Sequence, residues 1–380
     1  MTDSPSKRLF ILDGMALAYR AHFAFFSNPI RNSKGVNTSA VYGFANTLLG
    51  ILEHERPTHI AACFDTSAPT ARHKLYPAYK ANRESMPEEL SDQMPLIFRL
   101  LEAMNIPILR YEGYEADDTI GTLARIADGT EGFQTYMVSQ DKDLGQLISS
   151  TCFLWKPGKR GNDHEVIDLA KLKEQWGIER ADQVVDILAL MGDSSDNIPG
   201  VAGVGPKTAT QLLLDYGTLD GIYAHLDAIK EKLRAKLEQG KDSAYLSYDL
   251  ATIRCEAPIA FSPEACLVQP YDEAALYRLF TRLEFTRLIS RYGLHAPQEA
   301  AENGSLEGIC TSEAVYDAAR AEALAASFQK EHYVTLATES DVSGIAVVTG
   351  ESGYYFGHEA LKSRSFMSTL LGASVKKVVH

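Results

Sequence analysis

Short apolar runs in this chain repeatedly end on acids. Asp13 follows Leu9-Phe10-Ile11-Leu12, Asp65 follows Ile60-Ala61-Ala62-Cys63-Phe64, and Asp141 and Asp143 follow Tyr136-Met137-Val138. After Ile106-Pro107-Ile108-Leu109 a brief turn delivers Glu115, Asp117 and Asp118. Helical patterns separate the runs, over Met15 to Phe26, Ser39 to His54 and Glu88 to Met104. Strands alternating with helices predict a mostly parallel α/β sheet with right-handed crossovers. The carboxyl ends of such strands form the ligand-binding edge, so the acids are expected to converge there. A blander role is available for each of them, as a first-turn acid that complements the helix dipole and caps free amides. Glu115, Asp117 and Asp118 crowd into four residues and repel one another unless a cation lies among them. The recurrence of acids at one topological place favours the cation.

With 380 residues, 45% hydrophobic and 23% charged, the chain has the size and composition of two or three ordinary globular domains. No apolar stretch approaches a membrane span and Met1 to Arg8 is polar, so a cytoplasmic protein without a membrane partner is expected. The cysteines are scattered without CxxC spacing, which points to neither a disulfide framework nor zinc. A net charge of -13 speaks against a nucleic-acid-binding surface overall. Locally the pattern reverses: Arg72, Lys74, Lys80 and Arg83, interleaved with Tyr76 and Tyr79, have no acid among them. Such a stretch can hold a phosphate backbone and stack a base. A short helix between Pro77 and Pro87 would show Tyr79, Lys80 and Arg83 on one face, although a solvated connector has the same pattern.

Further along, Phe153-Leu154-Trp155 and Glu165-Val166-Ile167 read as a strand pair, Asp168 as the cap of a helix through Trp176, and Ala181 to Met191 as another helix. The acids Asp193 and Asp196 follow it. Gly203 and Gly205 then turn into a helix opened by Pro206, with Lys207 and Thr208 in its first turn. Closely spaced glycines before a helix present free amides to phosphate, but the spacing is not that of a nucleotide-binding P-loop. Residues from His295 to Leu306 form a polar linker pattern, and Tyr333-Val334-Thr335-Leu336 and Ile345-Ala346-Val347-Val348 are predicted strands of another unit.

Taken together and in order, Ile11-Leu12-Asp13-Gly14, Phe64-Asp65, Arg72-His73-Lys74-Leu75-Tyr76, Tyr79-Lys80-Ala81-Asn82-Arg83, Tyr114-Glu115-Ala116-Asp117-Asp118, Asp141-Lys142-Asp143, the run from Gly192 to Gly200 and the run from Gly203 to Ala209 resemble the flap endonuclease family. The likeness is to the 5′-nuclease domain that bacterial DNA polymerase I carries, and covers about Lys7 to Leu294. It implies a PIN-like core over 1–180 with a helical arch, and an all-α helix-three-turn-helix subdomain with further helices over 181–294. A linker over 295–308 and a partial RNase H-like unit over 309–380, similar to the start of a 3′-5′ exonuclease domain, would follow. In that last unit Ala337 stands where a proofreading exonuclease motif would place an Asp, so proofreading is not expected.

The resemblance further implies that Asp13, Asp65, Glu115, Asp117, Asp118, Asp141, Asp143, Asp193 and Asp196 are metal-binding carboxylates. Oxygen-only ligands suit Mg2+ or Mn2+, and two such ions about 4 Å apart would activate water and stabilise the leaving oxygen. Lys80 and Arg83 would act on the scissile phosphate. Arg72, Tyr76, Tyr79, Gly203, Gly205, Lys207 and Thr208 would contact DNA, with K+ at the helix-three-turn-helix element. The expected protein is a monomeric nuclease acting on 5′ flaps and nicked or branched duplex in primer removal and DNA repair. A PIN-like ribonuclease and a non-catalytic branched-DNA binder are the alternatives.

Overall fold

The computed structural model describes residues 7–158, 163–259 and 262–296, and beyond them strand and short helical segments between 311 and 379. From residue 297 onward the predicted linker lies outside the described residues, as does Cys310. The chain divides into two compact units at Pro297–Gln298.

In the first unit the order is β1 (Lys7–Asp13), α1 (Gly14–Ala24), α2 (Ser39–Gly50), β2 (His59–Cys63), α3 (Ala71–Leu75), α4 (Glu88–Ser91), α5 (Met94–Ala103), β3 (Ile108–Leu109), α6 (Ala116–Asp128), β4 (Phe133–Val138), β5 (Cys152–Pro157), β6 (His164–Ile167) and α7 (Leu169–Trp176). Helices follow: α8 (Gln183–Met191), α9 (Pro206–Tyr216), α10 (Leu219–Ala224), α11 (Glu231–Gln239), α12 (Lys241–Ala251), α13 (Glu273–Arg282) and α14 (Thr286–Tyr292). The sheet order is β3-β2-β1-β4-β5-β6, parallel except for the antiparallel edge strand β6.

β1 lies at the centre, and Leu9 to Leu12 are wholly buried because both faces of a parallel sheet are covered. Alternation along the strand sends Leu9 and Ile11 to one core, with Ile120 and Leu123 of α6 and Leu188 of α8, and Phe10 and Leu12 to the other, with Phe44 and Leu48 of α2. The same core that covers one sheet face thus continues into the helices after β6. From β1 the chain builds outward through β2 to β3, then returns to the other side of β1 with β4. That reversal puts the topological switch point at the carboxyl ends of β1 and β4, the place where open α/β sheets bind ligands.

Two predicted helices are shorter than their patterns. The second ends at Gly50 and passes into a π-helical turn over Ile51–Glu55, and the run from Glu88 breaks at Asp92–Gln93 before Pro95 restarts it as α5. Pro at the first turn has no N–H to offer the preceding residues, so it begins a helix more readily than it continues one.

The second unit is a five-stranded sheet of β7 (Thr311–Val315), β8 (Val334–Thr338), β9 (Gly344–Thr349), β10 (Ser352–Gly357) and β11 (Lys377–Val379), ordered β11-β8-β9-β10-β7. β8, β9 and β10 form an antiparallel meander with a parallel neighbour on either side. Ala337 sits in β8 opposite Ala346.

Candidate active site

The acids gather where the topology directs them. Asp13 ends β1, and its Oδ1 accepts from the Ala16 amide at 3.0 Å, capping α1. Its Oδ2 accepts from Ser139 Oγ at 2.7 Å, just past β4. Ser139 is wholly buried, and its Oγ also accepts from the Asp141 amide at 3.0 Å. Asp141 Oδ1 in turn receives the Asp143 amide at 2.9 Å. Asp65, after β2, accepts from the Ala116 amide at 2.8 Å and so ties its strand to the start of α6. Glu115 caps α6 in a reciprocal box with Asp118. The capping role is therefore real and coexists with the gathering of charge.

Proximity is visible in the electrostatics. Burial pushes the Asp13 carboxyl up to about 6, and Asp65 and Asp141 add to the rise. Asp117 is raised well above the usual carboxylate range by burial and then by Asp141 and Asp13, with Lys80 opposing. Asp143 is pushed up to about 7 by burial and Asp141, again against a cation, Lys142. Asp193 behaves differently. Burial alone would raise it, but hydrogen bonds from Lys142 and Ser195 outweigh that and hold it below the usual value. Lys142 Nζ contacts Asp193 Oδ2 and lies 3.1 Å from Asp143 Oδ1. Lys80 Nζ lies 3.2 Å from Glu115 Oε2 and 3.7 Å from Asp196 Oδ2, and Arg83 pairs with Asp196 Oδ1.

Among the described residues no three carboxylates, histidines or cysteines already converge as one ligand set. The acids are instead interleaved with Lys80, Arg83 and Lys142. Chemically the set still fits a hard divalent cation, because every donor is an oxygen and Asp13, Asp117 and Asp143 each have their ionised form penalised by a neighbouring acid.

Several expectations need correction. The segment after Pro77 is a series of turns, and the only helix of the basic stretch is α3. Lys80 has φ 56°, a left-handed conformation that cannot continue a helix, and its amide donates to the Asp196 carbonyl at 2.9 Å. Asn82 and Asn197 add side-chain bonds to the Ser194 and Ala78 carbonyls at 2.6 Å each. The stretch is thus docked on the loop after α8 and presents no shared helical face. Arg72, expected on DNA, is 3% exposed and bonded to Asp118, Glu115 and the Leu250 and Thr252 carbonyls. Tyr79 is likewise buried, its hydroxyl donating to Glu115 at 3.0 Å, so no ring face is free to stack. Tyr76 is half-buried against the core. Asp118, expected on a metal, is 1% exposed, and both its oxygens are taken up by Arg72 and by the Glu115 and Arg254 amides.

Sequence reasoning assigns no role to Ser139 or Lys142. Lys142 had a signal, since a cation between two acids contradicts the pattern around it. Ser139 had none beyond its place at a strand end.

Away from the acids, Gly203, Gly205 and Lys207 are exposed at the start of α9 while Val201 and Val204 anchor the loop in the core, and Thr208 is half-buried. Gly203 has φ 76°, and its carbonyl accepts from Lys236 Nζ at 2.9 Å. A Cβ there would stand 2.6 Å from that nitrogen.

Comparison with known proteins accords with this geometry. A model of the 5′-3′ exonuclease N-terminal resolvase-like domain matches residues 8–177, and one of the 5′-3′ exonuclease C-terminal SAM fold matches 179–274. The chain is 43% identical to DNA polymerase I of Treponema pallidum over 289 residues, covering 75% of this chain and 28% of that protein. It is 38% identical to DNA polymerase I of Bacillus caldotenax over 379 residues, 98% of this chain and 42% of that one. The chain thus spans less than half the length of these relatives. A solved structure of T5 5′-exonuclease with divalent zinc bound shares the fold, with a TM-score of 0.56 and 19% identity over 73% of this chain and 98% of that one. No helix among the described residues is long and apolar enough to cross a membrane. With models of both halves of the 5′-3′ exonuclease matching successive parts of the sequence, the chain belongs to the 5′-3′ exonuclease family of hydrolytic nucleases.

Proposed function

We propose that this protein cleaves DNA phosphodiesters at 5′ ends and 5′ flaps with two Mg2+ or Mn2+ ions, in primer removal and DNA repair. The observation that carries this reading is the gathering of mutually repelling acids from separate segments past the carboxyl ends of β1, β2 and β4, with Lys80 paired to Glu115 and Asp196 and Arg83 to Asp196. Asp13, Glu115, Asp117 and Asp141 would hold the nearer ion, and Asp65, Asp143, Asp193 and Asp196 the other, directly or through water. Bound there, divalent ions supply charge neutralisation and activation of water.

The chain's own groups do the rest. Lys80 and Arg83 exchange their carboxylate partners for phosphate oxygens as the strand enters, and offset charge developing at the scissile phosphate. The exposed Gly203 and Gly205, with Lys207 and Thr208, grip duplex backbone at the start of α9, where the helix dipole favours an anion, and K+ is the proposed ion at that loop. The first unit acts as a monomer, its core over 1–180 and its duplex-binding helices over 181–294.

A substrate panel tests the reading. DNA 5′ flaps and nicked duplex should be cleaved in Mg2+ or Mn2+, and single-stranded RNA should not. An RNA-only profile would replace this assignment with a PIN-like ribonuclease, and binding without turnover in either metal with a branched-DNA binder.

A further inference from the structure

Arg72 is a buried charge, and the proposed mechanism leaves it without a task. Each of its guanidinium donors is used. Nε donates to the Leu250 carbonyl at 2.9 Å, and Nη1 to Asp118 Oδ2 at 2.8 Å and Glu115 Oε2 at 3.2 Å. Nη2 donates to Asp118 Oδ1 and the Thr252 carbonyl, both at 2.7 Å. Asp118 answers with a bidentate pair and spends its remaining capacity on the Glu115 and Arg254 amides, at 3.1 Å and 2.8 Å. A planar five-donor fork matched in this way fixes its acceptors in orientation as well as in distance.

Three segments meet at the pair. One is α3, which leads into Tyr79, Lys80 and Arg83. The second is the start of α6, which carries Glu115 and Asp117. The third is the end of α12 with the residues after it, so the helical part of the unit is fastened to the cleavage site at the same point. Glu115 Oε2 receives Arg72, Tyr79 and Lys80 together, and its orientation therefore depends on all three.

We propose that Asp118 and Arg72 form a positioning clamp for the reaction, in which Asp118 ligates no metal ion but holds Arg72, and Arg72 sets Glu115 and the Tyr79–Arg83 segment against each other and against α12. The catalytic part of this inference rests on the metal-nuclease reading above. Its structural part does not.

The test uses the full chain and three readouts: Mn2+ titration, thermal unfolding, and single-turnover cleavage of a 5′-flap DNA. Asp117→Asn serves as the ligand control and should weaken Mn2+ binding roughly tenfold or more. Asp118→Asn should bind Mn2+ as the unsubstituted protein does, melt at lower temperature, and cleave roughly 10–100-fold more slowly with little change in KM, the size of effect that partners of ligating groups commonly have. Arg72→Lys should not rescue the rate, because three donors cannot serve five acceptors.

Asp118→Asn leaves the buried guanidinium with only the longer Glu115 contact as a charged partner and could fail to fold. The double variant Arg72→Met/Asp118→Asn removes both charges, so it should regain most of the melting temperature while its cleavage stays slow. Mn2+ affinity falling as far in Asp118→Asn as in Asp117→Asn would make Asp118 a ligand and overturn the clamp. Recovery of both melting temperature and rate in the double variant would reduce the pair to a structural one. Absence of both Mn2+ binding and cleavage in the unsubstituted protein would remove the metal-nuclease reading itself, and with it the clamp's part in the reaction.

Discussion

Replacing Ser139 with Ala removes one hydroxyl from a wholly buried position and should be felt at two acids at once. The Oγ donates to Asp13 Oδ2 at 2.7 Å and accepts from the Asp141 amide at 3.0 Å. A hydrogen bond to a charged group contributes about 1.5–3 kcal/mol, and a buried amide left without an acceptor costs about 1–3 kcal/mol. These overlap, because Asp13 can shed its charge, so a net loss of about 2–3 kcal/mol is expected from urea unfolding at neutral pH, with the midpoint falling and the slope unchanged. The functional consequence has a definite sign. Asp13 already sits at about 6 through burial, and the Ser139 bond lowers it from where burial alone would leave it. Without that bond Asp13 ionises only at higher pH. The acid limb of the cleavage rate should therefore move upward in pH, and the rate near neutrality should fall roughly 10–100-fold, as for other groups that orient a ligating residue. An Ser139→Ala protein with both the wild-type urea midpoint and the wild-type pH profile would refute the reasoning.

Other perturbations separate the roles further. Asp186 in α8 is pushed up to about 6 mainly by burial, while the Leu219 amide opposes the rise and Asp182 adds to it, so the fold prefers the neutral acid. Its contribution to stability is complete below about pH 4 and is lost as pH rises through about 6; Asp186→Asn should thus be more stable than the native protein by up to about 3 kcal/mol at pH 8, and equal to it near pH 4, in denaturant titrations. Lys80→Ala should reduce single-turnover cleavage by roughly 3 kcal/mol of transition-state stabilisation while DNA affinity falls much less, and equal losses would make Lys80 a binding group only. A chain ending at Pro297, the boundary between the two compact units, should retain flap cleavage. Loss of activity there would give the second unit a part in the reaction.

The sheet and the gathering of acids were legible because both depend on patterns of short range. β1 and β2 are centred on bare apolar runs, and a parallel sheet buried on both faces needs little else. Which face each residue takes then follows from alternation, as Leu9 and Phe10 illustrate. What stayed hidden was long-range pairing. In a list of residues Arg72 looks like any other surface cation, and only the arrival of Leu250 and Thr252, far along the chain, buries it. Asp118 could not be told from Asp117 at adjacent positions, although helix geometry points one at Arg72 and leaves the other beside Asp13 and Asp141. The expected helix after Pro77 failed for a related reason. Spacing can say which residues would share a helical face, but it cannot foresee that Lys80 turns left-handed because its amide finds the Asp196 carbonyl.

The most direct measurement is single-turnover cleavage of a DNA 5′ flap across a Mg2+ titration, with the unsubstituted protein and Asp117→Asn side by side. If the gathered acids hold the ions that drive hydrolysis, the rate rises to saturation with Mg2+ and vanishes on chelation with EDTA. Asp117→Asn should stay inert at every concentration, yet melt at higher temperature than the native protein, because it relieves the repulsion from Asp13 and Asp141. Turnover that persists in EDTA, or that is undiminished in Asp117→Asn, would contradict the assignment.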